Sequence, residues 1–323
     1  MRNITFTQAI RETLAQELRN DESVFLLGED IGVYGGAFGV TRGLIDEFGP
    51  ERIRNTPISE QAITGIAIGA AVAGLRPVME IMFMDFITLA VDQMVNLAAK
   101  LHPIYGQKCP MVLRTPPGAG RGYGATHSQS LERLFLGTPG IKVVAPSNAL
   151  DASALLQASI HDDNPVIFLE HKLLYPLRFE MPDELPPPQP IGFAKRVTEG
   201  DDITIVAWSY MTILARRAAA ELANDGYSVE VIDLCSLSPL DMYTVLESVT
   251  HTGRAIVVEE GPLTGGFSAE IAARIAEGAQ DYLEAPVRRI TSPDLPFPAS
   301  KPLELTLIPS VADIKAAVKE MCE

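Results

Sequence analysis

The chain has 323 residues, a length that suggests two domains at roughly 100–200 residues each. Its formal net charge is −15, which argues against a nucleic-acid ligand because phosphate binding requires clustered Lys and Arg, and which suits a basic protein partner or plain solubility. The three cysteines form no CxxC pair, so no disulfide framework or cysteine zinc site is expected. The lack of a long apolar segment or signal-peptide core predicts a protein without membrane contact that is cytoplasmic, or whose targeting segment has been removed.

Hydrophobic periodicity predicts strands that alternate with helices in the first half of the chain. The predicted elements are a helix over 1–14, a buried strand over 23–30 that ends in two acids, a glycine-rich loop over 32–44 that enters a helix, strands over 76–86, 110–115, 141–148 and 165–172, and helices over 86–101 and 151–164. This alternation predicts an α/β fold whose largely parallel sheet is covered by helices on both faces.

A proline-rich segment separates this half from a second one of the same kind. Residues 186–188 and 190 are prolines, so the segment is predicted to be an extended, semi-rigid linker. A strand over 202–209 and a helix over 211–227, ended by Gly226, then restart the alternation. The predicted organisation is a first domain over 1–185, a linker over 186–198 and a second domain over 199–323.

The first candidate for chemistry is Glu60, which follows the turn NTPIS before an apolar helix rich in glycine and alanine. Pro57 restricts the entry to this helix, and Ser59 or a neighbour is expected to be its N-cap. One interpretation is that Glu60 only complements the helix dipole, worth under about 1 kcal/mol. The other is that close packing of the small-sided helix partly buries the carboxylate, which then needs a hydrogen-bond partner.

The second candidate is His127, within the glycine-rich stretch GAGRGYGATHSQS (118–130). This stretch follows the predicted strand 110–115, and α/β folds bind ligands at the carboxyl ends of their strands. Histidine can exchange protons near neutral pH, which suits a catalytic role. The alternative is a loop histidine that only hydrogen-bonds to the backbone, and the sequence does not distinguish the two. The chain has neither GxGxxG nor GxxxxGK[ST], so no phosphate-binding loop is predicted.

The polar stretch IHDDNP contains Asp162 and Asn164 between a predicted helix and a predicted strand. A turn that caps the helix explains these side chains. The alternative is a small oxygen-ligand cation site completed by backbone carbonyls.

Taken together, the segments LLGEDIG, NTPISEQAITGIAIGAAVAGLRP, EIMFMDF, VDQMVNLAAK, GATHSQS, PGIKVVAPSN and NPVIFLEHKLLY resemble the beta subunit of the thiamine-diphosphate-dependent 2-oxo acid dehydrogenases. That family includes the pyruvate, branched-chain 2-oxo acid and acetoin dehydrogenases. The resemblance implies a pyrimidine-binding domain and a transketolase-like C-terminal domain, in a chain that works in an α2β2 heterotetramer. In this family the alpha subunit carries the GDG motif for Mg²⁺ and the diphosphate, and the present chain has no GDG.

The resemblance also implies roles for five residues of the first domain. Glu60 would hydrogen-bond N1′ of the aminopyrimidine ring and favour its imino tautomer, while Phe86 would stack on that ring. Ile58 and Met82 would line the same pocket, although an ordinary core position suits Met82 equally well. Glu29 would lie near the cofactor.

Two further sites come from the resemblance alone. His127 would face the substrate end of the channel and help the acyl group to reach the lipoyl disulfide. Some family members bind a potassium ion in the beta chain. Its ligands would be Met111, Ser159 and Ile160, mostly through backbone carbonyls, together with Asp162 and Asn164.

The second half of the chain also has a charge excess that suits a docking role. Residues 201–323 contain 19 Asp and Glu against 9 Lys and Arg, a balance of −10. In the resembled family this domain docks the lipoyl acyltransferase core through a basic peripheral domain of that core. Plain solubility would account for the same excess.

The sequence therefore predicts a beta subunit that takes part in oxidative decarboxylation of a 2-oxo acid, or in cleavage of acetoin, with acyl transfer to lipoamide. The substrate stays open, with a preference for pyruvate or acetoin. A split transketolase-like carboligase without a lipoyl partner is one alternative. A non-catalytic assembly subunit is another, and the joint presence of Glu60, Phe86 and His127 argues against it.

Overall fold

A computed structural model describes residues 1–323 and divides them into two compact units. The first unit comprises Met1–Pro117 and Leu134–Ile191, and the second comprises Gly118–Arg133 and Gly192–Glu323. The division at Ile191 falls within the segment 186–198 that the sequence marks as a linker. The segment 118–133 groups with the second unit, whereas the sequence-based division placed it in the first domain.

The elements before Gly192 alternate between strands and helices, as the sequence predicts. In chain order they are β1 (Arg2–Thr5), α1 (Phe6–Asn20), β2 (Val24–Gly28), α2 (Leu44–Phe48), β3 (Ile53–Asn55), α3 (Glu60–Val72), β4 (Arg76–Glu80), a 3₁₀ helix (Met84–Ala90), a π-helical turn (Gln93–Ala98), α4 (Ala99–Tyr105), β5 (Val112–Thr115), α5 (Arg133–Leu136), β6 (Lys142–Val144), α6 (Ala149–His161), β7 (Val166–Leu169) and β8 (Arg178–Met181).

The sheet of the first unit is parallel. Its strands lie in the order β3-β2-β4-β5-β7-β6, and each neighbouring pair is parallel. Every residue of β2, β5 and β7 is buried, as expected for strands covered on both faces. A separate antiparallel pair joins β1 to β8.

The two largest errors in the predicted limits of first-unit elements concern the helix over 1–14 and the strand over 76–86. The helix predicted from residue 1 begins at Phe6, because Thr5 and Gln8 form a capping box that fixes the start and leaves β1 to pair with β8. The strand predicted over 76–86 ends at Glu80, and the chain then enters the 3₁₀ helix. An apolar run such as IMFMDF does not distinguish a strand from a short helix by periodicity alone.

The second unit contains another, mostly parallel sheet. Its elements are β9 (Lys195–Thr198), β10 (Ile203–Ala207), α7 (Ser209–Asn224), β11 (Val229–Asp233), β12 (Ser236–Ser238), α8 (Met242–Thr252), β13 (Ala255–Pro262), α9 (Phe267–Ala279), a 3₁₀ turn (Gln280–Tyr282), β14 (Arg288–Ser292), α10 (Lys301–Glu304) and α11 (Val311–Cys322). The strand order is β14-β13-β10-β11-β9, and only β9 runs antiparallel to its neighbour.

The core of the second unit lies where α7 and α11 cover this sheet. It contains Ile205, Val231 and Ile256 from the strands, with Leu214 and Val318 from the helices. These two parallel-sheet units confirm the α/β fold class. None of the helices is both long and apolar enough to cross a membrane.

Candidate functional site

Five residues that the sequence singles out follow the carboxyl ends of three neighbouring strands in the first unit. Glu29 follows β2, Ile58 and Glu60 follow β3, and Met82 and Phe86 follow β4. Because these strands lie side by side in the order β3-β2-β4, the five residues share one edge of the sheet. This is the edge at which open α/β sheets bind their ligands.

Glu60 is the first residue of α3, and Ser59 is its N-cap, as the sequence predicts. The Ser59 hydroxyl makes no capping bond to the helix and donates to the Pro57 carbonyl at 3.3 Å. The Glu60 residue is only 6% exposed, and its backbone carbonyl accepts a bond from the Thr64 hydroxyl at 2.6 Å. Glu60 is therefore both buried and the first residue of a helix, so the two interpretations of its sequence position hold together.

Glu29 holds the chain just before this helix. Its Oε1 atom accepts the Ser59 N–H at 3.3 Å. Burial raises the pKa of Glu29, and the negative charge of nearby Glu60 raises it further, while the Ser59 N–H opposes both effects. A side chain at Gly28 would place its Cβ 2.8 Å from the Glu80 carbonyl oxygen, so a glycine is required where β2 delivers Glu29.

Phe86 lies at the end of a row of aromatic rings. Its ring meets Phe83 edge-on at 6.1 Å between centroids, Phe83 meets Phe38 edge-on at 5.6 Å, and Phe38 stacks on Tyr175 at 5.0 Å. The row fixes the plane of the Phe86 ring, which is half-buried.

The other two apolar candidates differ in exposure. Met82 is half-buried, consistent with either of its two expected roles, whereas Ile58 is 83% exposed. Ile58 therefore presents an apolar surface outside the core of the first unit.

A buried ion cluster at the carboxyl ends of β4, β5 and β7 escaped the sequence analysis. The Arg114 guanidinium donates to Glu170 at 2.6 and 2.7 Å and to Glu80 at 2.9 Å, and the Tyr175 hydroxyl donates to Glu170 at 2.8 Å. Burial raises the pKa of Glu80 against the opposing charge of Arg114, and burial also raises the pKa of Tyr175. The sequence did contain a signal for this cluster, because three apolar segments each end in a charged residue: VME (78–80), VLR (112–114) and FLE (168–170).

His127 lies in the second unit, in the segment 118–133, and not among the residues of the first unit described above. Its side chain is half-buried. Its Nδ1 atom lies 3.0 Å from the Thr126 hydroxyl, and its backbone N–H donates to the Gly124 carbonyl at 3.1 Å. Three buried carboxylates of the same unit, Glu132, Glu260 and Glu304, were not singled out from the sequence.

The residues expected to bind potassium gather at the end of α6 and the start of β5. They are Met111, Ser159, Ile160, Asp162 and Asn164. Asp162 Oδ1 accepts both the backbone and side-chain N–H groups of Asn164, at 2.9 and 3.0 Å, and its Oδ2 bonds Lys142. The Ile160 and Asp162 carbonyls accept the Arg76 guanidinium at 2.8 and 3.1 Å. The turn is thus a capping structure whose oxygen atoms accept hydrogen bonds, and each carbonyl keeps a second lone pair that a monovalent cation could use.

Known proteins match the chain over nearly its whole length. Residues 2–178 match the family model for the transketolase pyrimidine binding domain, and residues 192–314 match that for the transketolase C-terminal domain. The chain is 44% identical over 321 residues to the pyruvate dehydrogenase E1 component subunit beta of Rickettsia felis, covering 99% of this chain and 98% of that protein. It is 44% identical over 326 residues to the mitochondrial subunit beta-1 of Arabidopsis thaliana, covering 99% and 90%.

The fold comparison agrees with these matches. A solved structure titled split gene transketolase, inactive beta4 tetramer, superimposes with a TM-score of 0.79 at 24% identity, covering 99% of this chain and 98% of that one. The chain therefore belongs to the family of thiamine-diphosphate-dependent 2-oxo acid dehydrogenase beta subunits, which includes the pyruvate dehydrogenase E1 beta subunits.

Proposed function

We propose that this chain holds the aminopyrimidine end of thiamine diphosphate and, with an alpha subunit, catalyses oxidative decarboxylation of pyruvate with transfer of the acetyl group to lipoamide. The observation that supports this most directly is the grouping of Glu29, Glu60 and Phe86 at one edge of the first-unit sheet. Pyruvate is favoured over branched-chain acids and acetoin because the relatives at 44% identity are named pyruvate dehydrogenase subunits.

The residues at this edge suit a flat heteroaromatic ring with a basic nitrogen. Glu60 offers a buried carboxylate for that nitrogen, Phe86 a ring held in a fixed plane, and Met82 an apolar wall. Bound thiamine diphosphate would supply the nucleophilic carbon and the electron sink that decarboxylation of a 2-oxo acid requires.

Glu60 would share a proton with the ring nitrogen N1′. A carboxylate in a water-poor site does this effectively, because the hydrogen bond is not in competition with solvent. Glu29 holds the helix start through Ser59, so that the Glu60 carboxylate stays aimed at one place. The two acids therefore have different roles: Glu60 would bind the ring nitrogen, and Glu29 holds the start of α3.

The rest of the cofactor would be held elsewhere. The chain has no GDG motif, so an alpha subunit in an α2β2 heterotetramer would bind the Mg²⁺ and the diphosphate. His127 would assist acyl transfer to the lipoyl group of an acyltransferase core.

We also propose a potassium ion at the turn formed by Ile160, Asp162 and Asn164. It would add a ligand bond to carbonyls that Arg76 already partly satisfies. Thermal unfolding in potassium chloride and in tetramethylammonium chloride at equal ionic strength tests it. A higher midpoint in potassium, lost in Asp162→Ala, supports the site; equal midpoints contradict it.

The main test uses the chain co-expressed with its alpha subunit, thiamine diphosphate and Mg²⁺. Reduction of an artificial electron acceptor is followed with pyruvate, 2-oxobutyrate, 3-methyl-2-oxobutanoate and acetoin. Pyruvate should give the highest kcat/KM, and Glu60→Gln should abolish turnover while the heterotetramer stays intact. An intact assembly that binds the cofactor but reduces no acceptor would refute the dehydrogenase function and favour a carboligase.

A further inference from the structure

The loop that carries His127 is held by a buried carboxylate far away in the sequence. Glu304 lies at the end of α10 and is fully buried. Its Oε2 atom accepts the Gly122 N–H at 2.6 Å, and its Oε1 atom accepts the Ser128 hydroxyl at 2.8 Å. The two donors lie on either side of His127, and Ser128 is its direct neighbour.

A second buried carboxylate binds the two ends of the same loop. Glu260, on β13, accepts the Ala119 N–H at 2.7 Å and lies 3.3 Å from the Ser130 hydroxyl. It is 5% exposed. Glu260 and Glu304 together therefore bind both ends and the middle of the loop.

The loop needs such external partners because its backbone has little conformational preference of its own. Gly118, Gly120, Gly122 and Gly124 all have positive φ angles, in a region that glycine enters freely. At Gly122 a Cβ atom would lie 3.1 Å from the Ala299 carbonyl oxygen, which shows how closely the loop approaches the chain before α10. Charge-assisted bonds to buried carboxylates are strong enough to select one conformation.

We propose that Glu304 is a positioning residue for His127, whose imidazole direction is set by the hydrogen bonds that Gly122 and Ser128 donate to the Glu304 carboxylate. The role rests on the proposed function of His127 in acyl transfer to the lipoyl group. In this role Glu304 acts through the loop and not by contact with substrate or cofactor.

Three variants separate this role from simple stabilisation. In Glu304→Gln the amide oxygen can accept the Gly122 N–H and the amide NH₂ can donate to the Ser128 hydroxyl, so both bonds persist. Glu304→Ala removes both bonds. Ser128→Ala removes one bond with almost no change in volume, and serves if Glu304→Ala fails to fold. Glu230→Ala is the matched control, since Glu230 is a 3% exposed carboxylate of the same unit that pairs with Arg196.

The first measurement is amide hydrogen exchange of the assembled heterotetramer. Exchange in residues 118–133 should become at least roughly tenfold faster in Glu304→Ala, less so in Ser128→Ala, and should stay close to wild type in Glu304→Gln. Glu230→Ala should leave this segment unchanged. Unchanged exchange in Glu304→Ala would overturn the proposal, whatever the enzymatic activity.

The second measurement compares two rates of the same assembly. One is reduction of an artificial acceptor, and the other is reductive acetylation of a free lipoyl domain. Glu304→Ala and Ser128→Ala should lower the second rate roughly tenfold or more relative to the first, as is also expected of His127→Ala, and Glu304→Gln should keep the wild-type ratio. If Glu304→Ala lowers both rates equally, Glu304 only stabilises the fold and the proposed positioning role is wrong. If His127→Ala shows no selective loss while the exchange result holds, the proposed function of His127 fails instead.

Discussion

The pH response of the second unit should be governed by one buried carboxyl group, Glu132. It is 4% exposed, and its Oε2 atom is buried without a hydrogen-bond partner. Burial and, to a lesser extent, the negative charges of Glu259 and Glu260 raise the pKa of Glu132 to about 7. Its own backbone N–H and the indole N–H of Trp208, 3.2 Å from Oε1, oppose these effects.

The sign of the effect on stability follows from proton binding. Between pH 4.5 and about 7 the folded protein keeps the Glu132 proton that the unfolded chain has already lost. The contribution of Glu132 to the free energy of unfolding therefore falls as the pH rises through this window, and the penalty is complete above pH 7. A pKa raised from 4.5 to about 7 corresponds to a penalty of about 3 kcal/mol at 1.36 kcal/mol per pH unit.

Glu132→Gln keeps a neutral side chain of nearly the same shape and should remove this penalty. At pH 8 the variant should be more stable than wild type by up to about 3 kcal/mol, and at pH 4.5 the two should be nearly equal. Urea unfolding followed by fluorescence measures this, because Trp208 is the single tryptophan of the chain. Its emission in the folded protein should also titrate near pH 7 in wild type and not in Glu132→Gln.

The control is Glu270→Gln, which removes one carboxylate from an exposed pair with Arg274. It should leave the titration of Trp208 emission unchanged. The reasoning is refuted if Glu132→Gln gains no stability between pH 4.5 and 8, or if its emission still titrates near pH 7.

Three further predictions concern the first unit. Glu60→Gln should lower kcat by roughly 100-fold or more without changing the unfolding midpoint, and a nearly normal kcat would contradict its proton role. Phe83→Leu removes the ring that contacts Phe86, so calorimetry on the heterotetramer should show weaker thiamine diphosphate binding, whereas Phe83→Tyr should bind normally; equal affinities would show that the ring contact is unimportant. Arg114→Met leaves two buried carboxylates without their cation and should cost roughly 3–5 kcal/mol in urea unfolding, and a cost below about 1 kcal/mol would mean that the cluster relaxes into a neutral form.

Local patterns predicted only part of the sheet edge that carries Glu29, Glu60 and Phe86. The sequence placed Glu29 at the end of a buried strand, whereas the short strand β3 before Glu60 was not predicted. An apolar segment marks β2, but β3 has the sequence Ile-Arg-Asn and carries no such signal, so the grouping at one edge follows only once the strand order is known. The helix start at Glu60 was also predicted, because Pro57 and Ser59 are local signals. The failures at residues 2–5 and beyond Glu80 occurred where the structure depends on a distant partner strand or on the choice between strand and 3₁₀ helix.

The carboxylates around the His127 loop could not be predicted in this way. Glu260 is 141 residues from Ala119, and Glu304 is 182 residues from Gly122. Neither spacing has a periodic or motif signature, since the bonds exist only once both segments have folded into the second unit. The glycine-rich sequence indicates a loop, and it carries no information on which distant residues hold that loop in place.

Burial also changes the meaning of the charge excess in residues 201–323. None of the 9 basic residues there is buried, whereas five of the 19 acidic residues are. The buried acids are Glu230, Asp233, Glu259, Glu260 and Glu304. The balance of −10 therefore falls to −5 among side chains that face solvent, 14 acids against 9 bases. Half of the excess thus serves internal bonds, such as those to the His127 loop, and cannot attract a partner. If a basic domain docks here, the salt dependence of its affinity should reflect the exposed excess of 5 acids and should be weaker than the full excess of 10 would suggest.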